Sequence, residues 1–221
     1  MKLAILTIAI GEKYIDSMQY CTKSKEEYCE KYKDCEFILK TEKHPTLVNT
    51  GCSWSKLGYV VDLIKENKYD YIFMCDADVI FMDFNFDLID MIKNRFDLSK
   101  NIVISSESQF LIEDNKSLKE NNNIHSLIFQ DKTLCAGNMF FKSNDWNIFF
   151  IQKLLSVDHS KYAPKCEQKP LNEFYQTYED VRLNTQVIEN QHLFNSFYTW
   201  CYRSWIYGDF LCHLADWNPD Y

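Results

Sequence analysis

Asp76 and Asp78 close the segment DYIFMCDAD at residues 70–78, two carboxylates one residue apart at the end of a run of strand-forming side chains. In an extended chain alternate side chains share a face, so the pair can converge on one point where a strand ends. Two like charges held together call for a cation. A hard divalent ion such as Mg²⁺ or Mn²⁺ takes oxygen ligands, commonly one or two carboxylates plus phosphate oxygens of a substrate. The apolar lead-in adds weight, because carboxylates beside a buried strand need a partner to offset desolvation. A solvated acidic turn is the plain alternative for the tripeptide by itself.

The elements that must position this pair follow from hydrophobic periodicity. LAILTIAI near the start reads as a buried strand, followed by a loop at Gly11. Tyr14, Ile15, Met18, Cys21, Tyr28 and Tyr32 recur at helical spacing and predict one long amphipathic helix. EFILKT (36–41) is a second strand, and WSKLGYVVDLIKEN a helix with Leu57, Val60, Val61 and Ile64 on its stripe, leading into the DYIFMC strand. This β-α-β-α-β order predicts an α/β fold with a central, mostly parallel sheet flanked by helices, in which ligands bind outside the carboxyl ends of the strands. Asp76 and Asp78 sit at such an end.

Further on, NFDLIDMIKNRF predicts a short helix, NIVISSES (101–108) a strand, and 113–126 a polar loop. AGNMFF (136–141) reads as a strand beginning near a glycine, and NDWNIFFIQKLLSV as a helix capped by Asn144. Residues 161–170 are expected to be irregular, YEDVRLNTQVIENQ helical, and GDFLCHLAD (208–216) a last strand carrying His213. With 221 residues and no linker or repeat, one domain over 1–221 is expected.

Composition removes several classes. A formal charge of −8 argues against a nucleic-acid partner, whose phosphates demand a basic surface. There is no G-x-x-x-x-G-K-[ST] and no G-x-G-x-x-G, so phosphate binding at a glycine-rich helix start has no support. Nine cysteines, an odd number without a C-x-x-C pair, fit free thiols in a reducing compartment. The opening apolar run is too short to span a bilayer and lacks a cleavage site, and no later segment is long and uncharged enough to cross. A cytoplasmic chain with no membrane span, monomeric or weakly associated, is expected.

In order along the chain stand T-I-A-I-G, W-S-K, the strand ending in D-x-D, A-G-N-M-F-F, E-D-x-x-x-N and G-D-F-x-x-H-x-A. Together, over about residues 3–217, they resemble the galactosyl, mannosyl and xylosyl transferases of glycosyltransferase family thirty-four, and virus-encoded sugar transferases of similar length. The resemblance implies a GT-A, Rossmann-like domain that moves a hexose, deoxyhexose or pentose from a nucleotide-diphosphate sugar, UDP-linked, to a glycan or glycoprotein acceptor, with Mn²⁺ or Mg²⁺ as cofactor. For a virus-encoded chain the compartment would be the host cytoplasm. By motif, Asp76, Ala77 and Asp78 are carried over as the metal and diphosphate segment, with His213 as third ligand; imidazole with two carboxylates suits Mn²⁺ better than Mg²⁺. Thr7, Ala9 and Gly11 would line the base and ribose through backbone groups, with Tyr14 placed to stack. Lys56 would meet diphosphate or sugar, Gly137 allow close approach, Asn138 bond sugar hydroxyls, and Trp54, Trp205 and Trp217 offer stacking faces. Asp216 stands where the family pattern has glycine.

Charge development sets the mechanism. As the anomeric carbon leaves the diphosphate the sugar becomes oxocarbenium-like. Inversion requires a carboxylate base on the acceptor hydroxyl, for which Asp180, with Glu179 second, is the sequence candidate; retention needs none. Both residues also fit the acidic first turn of a helix. Two other classes stay open at this level: a metal-dependent hydrolase of nucleotide sugars or phosphate esters, and a catalytically silent sugar-binding domain.

Overall fold

The computed structural model describes residues 1–106, 133–162, 166–190, 193–197 and 205–214. A six-stranded sheet runs through the molecule in the order β2-β1-β3-β6-β5-β7. Its strands are β1 (Leu3–Ile8), β2 (Cys35–Lys40), β3 (Tyr71–Cys75), β5 (Ile102–Ser106), β6 (Leu134–Lys142) and β7 (Thr185–Ile188). Neighbours pair in parallel except at β6, which is antiparallel to both β3 and β5. A smaller sheet, β4-β9-β8, joins β4 (Val79–Phe81), β9 (Leu211–His213) and β8 (Ser196–Phe197).

Alternation along the central strands feeds two cores. Ala4, Leu6, Ile72 and Met74 face α3 (Trp54–Lys65) and α5 (Asp145–Leu155), meeting Leu57, Val60, Phe150 and Ile151. Leu3, Ile5, Tyr71 and Phe73 point the other way, toward Tyr28 of α2 (Gln19–Lys31) and Leu88 and Ile92 of α4 (Leu88–Arg95). Strands buried on both faces explain why β1 and β3 read as continuous apolar runs. Across the antiparallel β3–β6 pair, Phe73 and Phe140 stack with ring centroids 4.1 Å apart. Asp87 caps α4 and Asn144 caps α5, each accepting from backbone N–H groups of its helix.

Several expectations are corrected. The helix expected over Tyr14–Tyr32 is two, α1 (Glu12–Ser17) and α2, broken at Met18. The Ser17 hydroxyl donates to the Tyr14 carbonyl and so competes for the helical acceptor, while Met18 turns into the core. The stretch expected to be irregular contains the start of α6 (Gln168–Thr177), which tolerates Pro170 in its first turn. The helix expected over 178–191 stops after α7 (Glu179–Asn184) and the chain becomes β7. There Thr185 donates its hydroxyl to the Val181 carbonyl, and Asn184 accepts through its carbonyl from Asn101 N–H, turning β-branched Thr185, Val187 and Ile188 onto the sheet edge. β4 and β8 are too short for periodicity to signal. Glu107 and Ser108 of the NIVISSES strand and the loop at 113–126 lie outside the described residues. Among the described residues no helix is long and apolar enough to cross a membrane.

Candidate active site

β3 hands its ladder directly to the acidic turn. Asp76 N–H donates to the Gly137 carbonyl at 2.8 Å, Val79 N–H donates back to the Asp76 carbonyl, and the chain leaves as β4. β9 pairs antiparallel with β4, bringing His213 opposite Val79, and Leu214 N–H donates to the Asp78 carbonyl at 2.8 Å. One ligand atom from each of Asp76, Asp78 and His213 lies within 4.8 Å of the others.

Gly137 permits this convergence. A Cβ there would stand 2.8 Å from His213 Cε1 and 2.9 Å from Asp76 Oδ2. The close approach foreseen at this glycine is therefore made by the acidic turn and the histidine. Asn138, expected to bond sugar hydroxyls, is instead fully buried: its Nδ2 donates to Asn195 Oδ1 at 2.9 Å. Asn195 Nδ2 donates in turn to Ser105 Oγ, and its Oδ1 stands 3.1 Å from His213 Nδ1. That network assigns the imidazole proton to Nδ1 and turns Nε2 toward the carboxylates.

Nε2 is 3.3 Å from Asp78 Oδ1, a buried oxygen without a well-aligned hydrogen bond. Burial opposes a charged His213, but Asp78 and then Asp76 outweigh it and hold its pKa above the ordinary value. Burial likewise works against ionised Asp78, and His213 brings its carboxyl below the ordinary range. At Asp76 burial prevails over the opposing Lys56 and the pKa is raised. Two carboxylates and an imidazole nitrogen that can ligate once its proton is displaced, all aimed at one point, with a buried oxygen poorly satisfied, fit a divalent cation such as Mn²⁺ or Mg²⁺.

Behind the turn, Lys56 Nζ contacts Asp76 Oδ1 at 2.6 Å and Glu167 Oε1 at 2.7 Å, an acid–base–acid chain in which Lys56 and Glu167 are buried and Asp76 is partly exposed. Burial opposes the Lys56 charge, and Asp76 with Glu167 outweigh burial. Lys56 was expected to meet diphosphate or sugar; here two protein carboxylates hold it. Three supporting residues were missed from sequence: Glu167, Lys25 and Asn195. Glu167 carries no motif of its own. Lys25 is wholly buried and donates to the carbonyls of Asp76 at 3.0 Å and Ala77 at 3.4 Å. It lies on the stripe of Cys21 and Tyr28, where a charge on an apolar face was the available signal. Asn195, between Phe194 and Ser196, gave none.

A cleft of about 280 Å³ opens over the turn, lined by Ile8, Ile10, Tyr14, Lys56, Asp76 and Asp78 among others. Thr7 and Ala9 are not in it. Both are fully buried; Thr7 donates its hydroxyl to the Cys75 carbonyl and Ala9 N–H donates to the Lys40 carbonyl. Strand alternation therefore gives the cleft to Ile8 and Ile10. Gly11 stands exposed beyond it with φ 98°, a left-handed turn that favours glycine. Tyr14 is partly exposed at the rim, and burial followed by the charges of Asp78 and Asp76 raises its pKa. Ala77 is buried in the turn and also borders the cleft.

Glu179 and Asp180 are not brought to the site. Asp180 accepts from Trp146 Nε1 at 3.0 Å and from Asn184 Nδ2 at 2.9 Å, beside the first residues of β5 and the last of β6. The acidic turn lies at the opposite end of those strands, roughly 10 Å or more of extended chain away. The two acids occupy a helix first turn, as the dipole favours. Trp54 is core, stacked on His159 at 4.2 Å; Trp205 donates to the Asp209 carbonyl; Trp217 and Asp216 lie outside the described residues.

The sequence profile of the galactosyl transferase GMA12/MNN10 family, Glyco_transf_34, matches residues 3–220. The chain belongs to that family. It is a glycosyltransferase. Among solved structures, this transferase is similar to a glycosyltransferase involved in the glycosylation of the major capsid of PBCV-1, with TM-score 0.69 and 10% identity over 97% of this chain and 94% of that one. It is also similar to mouse xyloside xylosyltransferase 1, with TM-score 0.54 and 10% identity over 96% and 97% of the two chains. The galactosyltransferase LgtC in complex with donor and acceptor sugar analogs matches with TM-score 0.53 and 13% identity over 95% and 86%. At such identities the likeness is one of fold, and that fold is GT-A. A comparison with curated proteins finds no match.

Proposed function

We propose that this transferase, acting from a single GT-A domain, moves a hexose, deoxyhexose or pentose from a UDP-linked donor to a glycan or glycoprotein acceptor, and that it does so with Mn²⁺. One observation carries the reading: Asp76, Asp78 and His213 converge within 4.8 Å at the C-terminal end of β3, with His213 Nε2 turned to the carboxylates by Asn195. A divalent cation held by these three would supply Lewis-acid stabilisation of charge on the leaving diphosphate.

The remaining work belongs to the chain. Lys25 holds the turn through two carbonyls, and Lys56 occupies Asp76 Oδ1, which leaves Oδ2 on the His213 side. Ile8 and Ile10 offer apolar surface for the nucleoside, with Tyr14 at the rim. Among the described residues, the carboxylates that line the cleft are Asp76 and Asp78, each engaged by a lysine or a histidine, with Glu167 buried behind Lys56. With Asp180 elsewhere, this reading gives that residue no part in deprotonating the acceptor. The thiol-rich composition supports a reducing compartment.

The test is a thermal-shift and transfer screen of nucleotide sugars with and without Mn²⁺, since a bound donor stabilises by mass action. One UDP-sugar should raise the melting temperature only with metal, in wild type and not in Asp78→Ala. Metal-independent binding, or unchanged binding in Asp78→Ala, rejects the reading.

A further inference from the structure

A second hollow, about 270 Å³ and so close in volume to the donor cleft, lies between α6, the start of β6 and the short turn at His159–Lys161. One residue separates the two. Glu167 reaches the donor side through Lys56, whereas its neighbours Cys166 and Gln168 line the second hollow. Gln168 is fixed there because its Oε1 accepts from Ala136 N–H at 3.0 Å, next to the Gly137 on which Asp76 and His213 close.

The lining suits a neutral ring rather than a phosphate. Tyr162 is held by its hydroxyl, which donates to Glu173 Oε2 at 2.8 Å, so its ring is a preset face of the hollow. Rigid tyrosines give contact area at low entropic cost, and a sugar's C–H face is the apolar partner such a ring takes. Around it, Thr133, Lys169 and Gln176 line the hollow with polar ends that make no hydrogen bond or ion pair with the described residues. Among the described residues no carboxylate lines the hollow, and the single cation there is Lys169. A fixed aromatic face ringed by a few hydrogen-bonding ends is how a concave site orients a small polar ligand.

We infer that this hollow is the acceptor subsite, taking a neutral saccharide whose nearest hydroxyl is presented past Gln168 to the sugar held at the acidic turn. This inference rests on the transferase reading and adds the acceptor's place and chemical class. In the group-transfer step the acceptor oxygen forms the new bond to the anomeric carbon, the bond to the diphosphate oxygen breaks, the electron pair leaves with the diphosphate, and the acceptor proton passes to that leaving group.

The experiment uses the full chain and two separate readouts. Saturation-transfer NMR with a panel of neutral methyl hexosides, methyl pentosides and disaccharides measures the second hollow directly. Calorimetry with Mn²⁺ and UDP measures the donor side. Wild type is expected to bind at least one saccharide, with affinity falling tenfold or more in Tyr162→Ala and in the hollow-filling Gln176→Trp, and by less in Tyr162→Phe, which keeps the ring and loses only its tie to Glu173, while Mn²⁺–UDP binding stays within twofold in all three. Absence of saccharide binding in wild type, or binding that neither Tyr162→Ala nor Gln176→Trp weakens, overturns the inference. Saccharide binding that responds to these variants in a protein that fails to bind Mn²⁺–UDP keeps the subsite and overturns the donor reading instead.

Discussion

Asn195 Oδ1 lies 3.1 Å from His213 Nδ1, and the same oxygen accepts from Asn138 Nδ2. An oxygen that already accepts must accept again from the ring, so one buried amide decides which imidazole nitrogen faces Asp78. Partners of this kind, behind a metal-binding histidine, commonly affect metal affinity by 10- to 100-fold. Asn195→Ala is therefore expected to weaken Mn²⁺ binding by roughly that factor, with His213 still present. Calorimetric titration checks it; wild-type affinity in the variant would show that the ring needs no such guide.

Gly137→Ala separates folding from function. The added methyl meets the ends of two side chains, His213 Cε1 and Asp76 Oδ2, and no backbone atom within 3 Å. Both groups are held, His213 by Asn195 and Asp76 by Lys56, so the methyl overpacks the site and should cost about 1–3 kcal/mol as the three-ligand cluster is spread. The expected result is a folded protein whose denaturant unfolding shows a loss no greater than that, with Mn²⁺ binding at least tenfold weaker. A variant that binds as wild type does would contradict the geometry given for Gly137.

Lys56→Met removes the middle of the acid–base–acid chain and leaves Glu167 buried without its partner, facing the partly exposed Asp76. Breaking a buried pair by deleting one partner typically destabilises by about 3–5 kcal/mol. Urea unfolding should show a drop of that order in Lys56→Met, partly recovered in the double variant Lys56→Met/Glu167→Gln. A loss under about 1 kcal/mol would mean the chain behaves like a solvated surface pair.

Asp180→Asn is expected to leave transfer within about twofold of wild type, because the residue sits at the far end of β5 and β6 from the acidic turn. A lost general base would instead lower the rate by roughly 10²- to 10⁴-fold. The asparagine can still accept from Trp146, so stability should fall by no more than about 1 kcal/mol. Steady-state kinetics on a donor and acceptor pair decides it.

Proton and metal compete for the same lone pairs, which fixes the sign of a pH effect. In the metal-free protein His213 has a raised pKa, caused by Asp78 and Asp76 against the effect of burial. Its pairing with Asp78 therefore stabilises the fold fully below the unfolded histidine value, about 6.5, and is lost as pH rises through the higher folded value. Mn²⁺ binding runs the opposite way: it should displace a proton below that folded value and weaken as the solution is acidified. Titrations in two buffers of different ionisation enthalpy measure the released proton; none released near pH 6.5 would exclude His213 as a ligand.

Legibility followed the range of the interactions involved. Asp76, Asp78 and His213 could be read because each ends or carries a local strand and the order of motifs was intact. Thr7 and Ala9 were carried over by motif as lining the base and ribose through backbone groups, and a strand buried on both faces shows no polar phase by which Ile8 and Ile10 could have been picked out instead. Asp180 looked catalytic because an acid in a helix first turn has the same local signature wherever that helix docks. Docking here depends on β7, whose Thr185–Ile188 was absorbed into a helix. Asn195, Glu167 and Lys25 act only through partners distant in sequence, so their neighbours in the chain give no account of them.

His213 arrives on β9, the last described strand, and reaches the acidic turn by pairing with β4 rather than through the six-stranded sheet. The small sheet is thus a latch, fastened where Leu214 N–H meets the Asp78 carbonyl. An intermediate with the large sheet formed and this latch open would carry two aspartates and no histidine, so a full set of ligands certifies that the two ends of the fold have found each other.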